Sequence, residues 1–260
     1  MKVLITGTNG YIGKHLSQVL PYDITCLHRG VCDLTDKKEV DSFFNQFGKF
    51  DVVIHCAAVG GSRLKKDDDI IFNNNIQMFL NLVSNRKSFD RLIHFGSGAQ
   101  KVDNGPYGFS KRIISNMIEE LDDFYNIIIY GLFDENEIDT RFIKSCVHNC
   151  LNNKSIVVND NKVMDFFHMK DLELVVNHYI DEFNPPKNIE CSYSDKFRLI
   201  QVAQFIIDLC QSNVNIKYNG GKIEKNYSGK NTQYLNKIIK SNFVDRLKQN
   251  VNILRDKWKI

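Results

Sequence analysis

Two residues with complementary chemistry lie four positions apart in the segment Tyr107-Gly108-Phe109-Ser110-Lys111. This spacing puts Tyr107 and Lys111 on one face of a helix. A phenol has an ordinary pKa of about 10, so it exchanges protons poorly near neutrality, but a fixed ammonium beside it favours the phenolate. Tyr107 is therefore a candidate general acid for a carbonyl oxygen. Because this pair is common in proteins, its meaning depends on the elements that position it.

A glycine turn lies near the start of the chain, with Gly7, Gly10 and Gly13 between a short apolar strand and an amphipathic helix. In such a turn the first glycine permits the tight bend, the second lets backbone N–H groups approach a pyrophosphate, and the third lets helix and strand pack closely. The helix N-terminus adds partial positive charge. The context predicts a dinucleotide-binding turn, to which the intervening residues also contribute: Thr8, Asn9, Tyr11 and Ile12.

Short β-branched strands alternate with helices through the first half of the chain, which predicts a doubly wound parallel α/β sheet, a Rossmann fold. The predicted strands are 2–6, 23–28, 51–56, 91–97 and 126–131, and the helices are 11–20, 36–47, 69–85 and 107–124. The second half is less regular, with predicted helices at 141–152, 171–183, 199–211, 232–240 and 242–254 and strands at 155–158, 189–191 and 214–218. We expect residues 1–160 to form the dinucleotide-binding domain. Residues 161–260 would form a smaller, mainly substrate-binding part that is intertwined with it.

The glycine spacing, the Tyr107–Lys111 pair and the adjacent Ala57-Ala58 after the third strand together resemble a known superfamily. It is the short-chain dehydrogenase/reductases, in particular their extended branch, the NAD-dependent epimerase/dehydratase family that acts on nucleotide sugars. Within it the chain is similar to the GDP-fucose synthases and the dTDP-4-dehydrorhamnose reductases. The resemblance covers roughly residues 1–180.

The resemblance implies roles for several residues. Tyr107 would protonate the substrate carbonyl, while Lys111 would lower the pKa of Tyr107 and hold the nicotinamide ribose. Ser97 would orient the carbonyl, although many relatives carry this hydroxyl one residue later, where this chain has Gly98. A serine of a structural turn is the alternative interpretation of Ser97. Asn75 matches a helix asparagine that supports the cofactor site.

The end of the second strand, His28-Arg29, favours NADP(H) over NAD. NAD-specific sites usually place a carboxylate here, whereas a guanidinium suits a 2′-phosphate. NAD remains possible, because Arg29 could equally be an ordinary solvated side chain. Asp33, followed by Leu34, matches the family's acid that binds the adenine amino group. It could also belong to a helix N-cap signal with Thr35 and Asp36.

The chain has only four alanines, Ala57, Ala58, Ala99 and Ala203. Two of them, preceded by Cys56, follow the third strand and a third follows the fourth strand. These strand ends line the crevice in which a doubly wound sheet binds its cofactor. Small side chains there would make room for that cofactor, although tight packing of sheet and helix would require them too.

The expected substrate is a nucleotide-diphosphate sugar, in contact with Tyr107, Ser97 and the small residues Val59, Gly60, Gly98 and Ala99. Arg141, with Lys144 or Arg198, could bind its phosphates or could lie on a solvated face. The stretch from Asp165 to Leu172 resembles one that closes over the sugar nucleotide in relatives, with Met164 replacing their usual Arg. We interpret His168 as structural and Asp171 as a helix N-cap.

Three functions follow as hypotheses. Ala99 and the residues near Thr140 and Arg141 replace the acid/base groups of double epimerisation, which favours an NADPH-dependent reductase of a 4-keto-6-deoxy sugar. A 4-epimerase with tightly bound NAD is the alternative, and a non-catalytic NADP-binding sensor is a third.

Composition and patterning limit the setting of the protein. Lys plus Arg is 34 and Asp plus Glu is 31, a balance that gives no argument for a nucleic-acid or membrane partner. Seven scattered cysteines and the absence of a visible signal peptide favour a cytoplasmic protein with reduced thiols. No metal site is assigned. We expect a homodimer, since relatives pair through the two helices that correspond to residues 69–85 and 107–124.

Overall fold

A computed structural model describes residues 1–62, 66–102, 105–220 and 225–258. Its strands are β1 (Lys2–Thr6), β2 (Asp23–Leu27), β3 (Phe50–His55), β4 (Phe89–Ser97), β5 (Phe124–Ile129), β6 (Leu132–Phe133), β7 (Ile156–Val158), β8 (Phe167–His168), β9 (Asn188–Cys191) and β10 (Ile216–Tyr218). Its helices are α1 (Tyr11–Val19), α2 (Lys37–Phe47), α3 (Asp69–Ser84), α4 (Ala99–Val102), α5 (Pro106–Glu119), α6 (Phe142–Leu151), α7 (Met169–Asp181), α8 (Leu199–Cys210), α9 (Gln233–Ile238) and α10 (Phe243–Trp258).

Six strands form one sheet in the order β2-β1-β3-β4-β5-β9. Strand β1 pairs in parallel with β2 on one side and with β3 on the other, so Thr6 lies between Leu27 and His55. The chain thus leaves β1 toward one edge of the sheet and then crosses to the other side of β1. Open α/β sheets bind ligands at such a switch point, beyond the carboxyl ends of the strands. The predicted doubly wound, Rossmann-like α/β fold is confirmed.

The chain divides into two compact units. The first comprises residues 1–128 and 175–189 and contains most of the sheet. Its strands are near-continuous apolar runs because helices cover them, and an aromatic cluster of Phe44, Phe50, Phe89 and Phe124 lies in the core. Such interdigitated rings are a large share of the apolar area that folding removes from water.

The second unit comprises residues 129–174 and 190–260. It contains two short parallel strand pairs, β7 with β10 and β6 with β8, and a core in which Phe133, Phe166 and Phe243 contact one another. The predicted division at residue 160 and its assignment to cofactor and substrate stay predictions.

The interpretation of Asp171 as an N-cap is wrong. Helix α7 begins two residues earlier, at Met169, and places Asp171 inside its first turn. The Asp171 carboxylate is fully buried, where it accepts from the Arg246 guanidinium and the Tyr193 hydroxyl. These bonds outweigh burial and lower the pKa of Asp171. The residue therefore ties α7 to α10 within the second unit.

Most predicted elements are present with shifted ends, and α5 shows the largest shift. The helix predicted to reach Phe124 ends at Glu119, and Phe124 opens β5. In the turn between α5 and β5, Asp123 has φ 60, a left-handed conformation, and its carbonyl accepts from Leu92 N in β4. Apolar spacing alone did not show this change of direction. The short elements α4, β6 and β8 were also not predicted.

None of the helices in the described ranges is both long enough and apolar enough to cross a bilayer.

Candidate active site

The glycine turn between β1 and α1 has close backbone contacts at two of its three glycines. Gly7 has φ +69, and a Cβ there would lie 2.7 Å from Ala57 N. A Cβ on Gly13 would lie 2.5 Å from the Gly7 carbonyl oxygen, closer than real contacts allow. Gly10 has an ordinary φ of −86, and its amide donates to the Gly7 carbonyl at 2.9 Å. Gly7 and Gly13 are therefore required by the fold itself, and Gly10 is the residue that stands open to solvent.

The N-terminus of α1 is capped differently from the N-termini of the next two helices, α2 and α3. Asp36 caps α2 and Asp68 caps α3, each through its carboxylate. The N-cap of α1 is Gly10, which has no side chain with which to cap the helix. The first amides of a helix have no intrahelical acceptor and attract anions through the helix dipole. The turn therefore fits a pyrophosphate: Asn9 and Gly10 are exposed, Tyr11 and Ile12 half-buried, and Thr8 is bonded to the Leu27 carbonyl.

The loop after β3 lies against this turn and is held by side chains from elsewhere. Ala57 N donates to the Thr6 hydroxyl at 3.2 Å. The Asn75 amide bonds both backbone groups of Val59, at 2.9 and 3.0 Å. Of three consecutive asparagines only Asn75 is buried, so the structure distinguishes it from its neighbours. The alanine pair and Val59 are thereby fixed at the end of β3, with Ala58 and Gly60 exposed.

Tyr107 stands in the first turn of α5, which begins at Pro106. Gly61, with φ +71, packs against its ring: a Cβ on Gly61 would lie 2.8 Å from two ring carbons. The Gly61 amide donates to the Asp67 carboxylate at 3.1 Å. The ring of Tyr107 is thus placed between α5 and the loop after β3.

Lys111 lies one turn further along α5 and is buried. Its Nζ lies 5.9 Å from the centre of the Tyr107 ring, so the predicted pair is brought together. The ammonium donates to the Phe95 carbonyl at 2.7 Å and lies 3.3 Å from Nε2 of His94. Burial lowers the pKa of Lys111 to about 8, against a smaller opposing effect of the Cys56 thiol. Lys111 therefore carries its charge at neutral pH inside the protein.

Ser97 ends β4 and is buried beside Gly98 and Ala99. Its hydroxyl accepts from Ala99 N at 3.2 Å, and its own amide donates to the Gln100 side chain. The hydroxyl thus makes the local turn contact of the alternative interpretation. A hydroxyl can accept one hydrogen bond and donate another, so accepting from Ala99 N does not by itself exclude a role toward a carbonyl oxygen.

Arg29 and Asp33, both predicted to touch the cofactor, form an ion pair at 3.2 Å. Asp33 also accepts from the amide and hydroxyl of Thr35, and these bonds and the guanidinium lower its pKa despite some burial. Asp36, not Asp33, is the helix cap. His28 accepts from Gly30 N, and Leu34 is buried.

The basic residues predicted for the substrate lie in the second unit. Arg141 is exposed at the N-terminus of α6. Lys144 is bonded to the Glu137 carbonyl and paired with Asp139, so it does not lie on a purely solvated face. Arg198 donates to the Asn161 carbonyl. His168 is buried and accepts from Lys170 N, as a structural histidine would.

Sequence reasoning missed four residues around this site: Thr6, Gly61, Asp67 and His94. Thr6 and Gly61 act through contacts with residues distant in sequence, for which no local pattern exists, and Asp67 accepts from the nearby Gly61 amide. A histidine inside an otherwise apolar strand, as His94 is in Arg91-Leu92-Ile93-His94-Phe95, was the one available signal.

The fold and the open glycine turn define a nucleotide-binding α/β protein with a tyrosine–lysine pair at the switch-point edge of its sheet. The model of the NAD dependent epimerase/dehydratase family matches residues 3–190. The chain belongs to this family, as the sequence analysis predicted, and is an NAD(P)-dependent enzyme of the oxidoreductase type. No curated protein matches the sequence.

Solved structures share the fold at low identity. A GDP-L-fucose synthetase from Naegleria fowleri bound to NADP has a TM-score of 0.80 at 18% identity, covering 99% of this chain and 94% of that one. A dTDP-4-dehydrorhamnose reductase from Clostridium acetobutylicum gives 0.80 at 19%, with 98% and 100% covered. A UDP-glucose 4-epimerase from Thermus thermophilus in complex with NAD gives 0.78 at 16%, with 98% and 99% covered.

Proposed function

We propose that this chain reduces the 4-keto group of a nucleotide-linked 4-keto-6-deoxy sugar with NADPH. The observation that carries the proposal is the buried Lys111 ammonium, 5.9 Å from the centre of the Tyr107 ring. Burying a charge is costly even when it has hydrogen-bond partners, so a buried ammonium beside a proton-bearing phenol is a candidate functional group. Neighbours of the same fold include proteins described as a GDP-L-fucose synthetase and a dTDP-4-dehydrorhamnose reductase, which fits this reaction class.

The cofactor would lie with its pyrophosphate at Gly10 and the start of α1, where the helix has no capping side chain. Thr8, Asn9, Tyr11 and Ile12 would surround it, with Cys56, Ala57 and Ala58 along its other side. Asn75 would act indirectly by holding Val59. When bound, NADPH supplies a hydride to the substrate carbon.

The chain's own residues would manage the proton. The Tyr107 hydroxyl would donate its proton to the carbonyl oxygen as that oxygen gains charge, giving an alcohol and a phenolate. The Lys111 ammonium would stabilise the phenolate through a medium of low dielectric constant. The Ser97 hydroxyl would donate to the same oxygen while it accepts from Ala99 N.

Reduction without epimerisation is the form we favour. Ala99 has no acid or base at the position after β4 where a proton-abstracting group would be required, and it is buried. Mixing the protein with NADPH and a panel of 4-keto sugar nucleotides, and following NADPH absorbance, tests the proposal. We expect turnover of at least one of them. A folded protein that turns over none of them would contradict the proposed function.

The second candidate, a 4-epimerase with retained NAD, is favoured by the pairing of Arg29 with Asp33. A guanidinium already held by a carboxylate is less available to a 2′-phosphate. Cofactor that stays bound through dialysis, identified as NAD by mass spectrometry, would support this candidate over the reductase. Cofactor binding without any oxidoreductase activity would instead support the non-catalytic sensor.

Cofactor choice gives a direct prediction. Arg29→Ser should raise KM for NADPH by about 10- to 100-fold and leave KM for NADH nearly unchanged, because a charge-assisted bond to the 2′-phosphate is lost. Asp33→Asn should lower KM for NADPH, since the amide keeps an acceptor for Thr35 but holds the guanidinium less tightly. Steady-state kinetics with both cofactors measure these effects. Equal changes in KM for NADH and NADPH would show that Arg29 does not bind the 2′-phosphate.

We also propose a homodimer formed through α3 and α5. Ile70 and Phe109 expose 63% and 43% of their surfaces, and the Phe72 ring stacks on Phe109 at 5.2 Å. A charge at the centre of such an apolar face would oppose association. Phe109→Glu should convert a dimer to a monomer in light scattering, whereas the control Phe183→Glu, at a side chain that is 90% exposed, should not. A wild-type monomer would refute the dimer.

A further inference from the structure

We propose that His94 is a positioning residue for Lys111: its neutral imidazole accepts from the buried ammonium and, with the Phe95 carbonyl, fixes that ammonium beside the Tyr107 ring. The inference rests on the proposed function for its consequence in catalysis, but its geometry does not. It concerns a group of residues that we name the Lys111 pocket. They are His55 at the end of β3, Cys56 directly after it, His94 and Phe95 in β4, and Lys111 in α5.

The chemistry of the ammonium fixes the direction of the hydrogen bond between Lys111 and His94. A lysine ammonium has three N–H donors and no acceptor, so the contact of 3.3 Å between Lys111 Nζ and His94 Nε2 requires a lone pair on Nε2. The proton of the neutral imidazole is then on Nδ1. Within the described residues that nitrogen is buried without a hydrogen-bond partner. A buried N–H without an acceptor is unfavourable. The hydrogen bond that Nε2 accepts from Lys111 therefore explains why the proton lies on Nδ1.

The residues around Lys111 in its pocket are uncharged at neutral pH. Burial lowers the pKa of His94 well below its ordinary range, and the Lys111 charge and His55 lower it further. Burial also lowers the pKa of His55 to about 3, and raises that of the Cys56 thiol. Both imidazoles and the thiol are therefore neutral at pH 7. Lys111 is the one charged group among the five residues of the pocket.

Ring packing also restricts the orientation of the His94 side chain. It lies 5.3 Å from the ring of His55 and 5.8 Å from that of Phe79, which meets it at 70°. His55 is itself bonded through Nδ1 to the Thr6 hydroxyl at 2.9 Å. The Thr6 hydroxyl also accepts from Ala57 N in the loop after β3. A buried ring packed in this way has little freedom to turn, so Nε2 is a fixed acceptor.

The groups that face Lys111 from all packed elements are Tyr107 on its own helix, His94 on β4, His55 at the end of β3, and Cys56 directly after it. Of these, His94 offers a neutral acceptor directly on the ammonium. Its contact and that of Phe95 use two of the three N–H donors, so the third can serve a ligand such as a ribose hydroxyl. Removing the His94 acceptor should therefore make the charged form of Lys111 harder to maintain.

The test uses the full chain labelled with [ε-¹³C]lysine, with the Lys111 signal assigned by its loss in Lys111→Met. We expect the wild-type signal to titrate near pH 8. In His94→Phe and, made in parallel, His94→Leu, the midpoint should fall by about one pH unit, because a charge-assisted bond is lost. In His94→Gln, whose amide oxygen can replace Nε2, it should return to within a few tenths of a unit of wild type. An unchanged midpoint in the folded apolar variants, or no recovery in the Gln variant, would overturn the proposal.

A second measurement links the pocket to catalysis. If Tyr107 needs the ammonium, kcat falls as pH rises through the pKa of Lys111. The apolar His94 variants should move this fall to lower pH by the same amount as the titration midpoint, and His94→Gln should restore it. The NMR titration requires no turnover. An inactive wild type with the expected NMR shifts would therefore refute the proposed function and leave the positioning role supported.

Discussion

Tyr107→Phe is expected to lower kcat by about 10²- to 10⁴-fold, the usual range for loss of a general acid. The phenylalanine ring keeps the contact with Gly61 and the packing of α5, so the substitution removes the proton donor and little else. KM for NADPH should change less than threefold, since the hydroxyl is proposed to act on the substrate oxygen. Single-turnover measurements of NADPH oxidation separate this step from product release.

The matched control for Tyr107→Phe is Tyr125→Phe, which removes a hydroxyl from a buried ring in β5 of the same unit. It should keep nearly full activity. If Tyr107→Phe also retained full activity, the assignment of Tyr107 as proton donor would be wrong. Cofactor binding by the inactive variant, measured by fluorescence titration, should remain intact.

Lys111→Met is expected to lower kcat/KM by about 100-fold or more while the protein stays folded. Two proposed roles are lost together: stabilisation of the phenolate by the Lys111 charge and contact with the cofactor ribose. Unlike the tyrosine substitution, this one should raise KM for NADPH as well as lower kcat. Steady-state kinetics with NADPH as the varied substrate distinguish the two patterns.

The stability of Lys111→Met follows from the charge that it removes. A fall in pKa from 10.5 to about 8 corresponds to roughly 3 kcal/mol of cost for burying the ammonium. Methionine avoids that cost but leaves the Phe95 carbonyl and His94 Nε2 without their donor, which costs a similar amount. The free energy of unfolding at pH 7 should therefore stay within about 2 kcal/mol of wild type. Urea denaturation measures it, with the exposed Lys38→Met as control.

The wild type should show the same cost in its pH dependence. Because the pKa of Lys111 is lower in the folded state than in the unfolded one, the unfolded chain binds more protons between pH 8 and 10.5. The contribution of Lys111 to stability should therefore rise with pH across this range, and the rise should be absent in Lys111→Met. An identical slope in the two proteins would show that Lys111 is not buried with its charge.

Arg29 and Asp33 form a contact with each other that the sequence analysis did not predict. The sequence places a guanidinium and an acid near the end of β2, and each was assigned its own contact with the cofactor. The structure pairs them across one turn of the connecting loop. The pairing is a property of how the loop bends, which residue types alone do not determine. At the proposed cofactor site, Asp33 and a 2′-phosphate would therefore compete for one guanidinium.

The sequence by itself determined the α/β alternation, the glycine turn, the Tyr107–Lys111 pair and the family, because each depends on spacings of a few residues that a helix or turn fixes locally. Only the tertiary structure decided what surrounds those residues. In that structure the Ser97 hydroxyl accepts from Ala99 N, and Asp171 forms a buried ion pair with Arg246. His94 Nε2 lies 3.3 Å from the Lys111 ammonium. Contacts of this kind join separate elements, and their partners are selected by packing and by the need to bond every buried polar group.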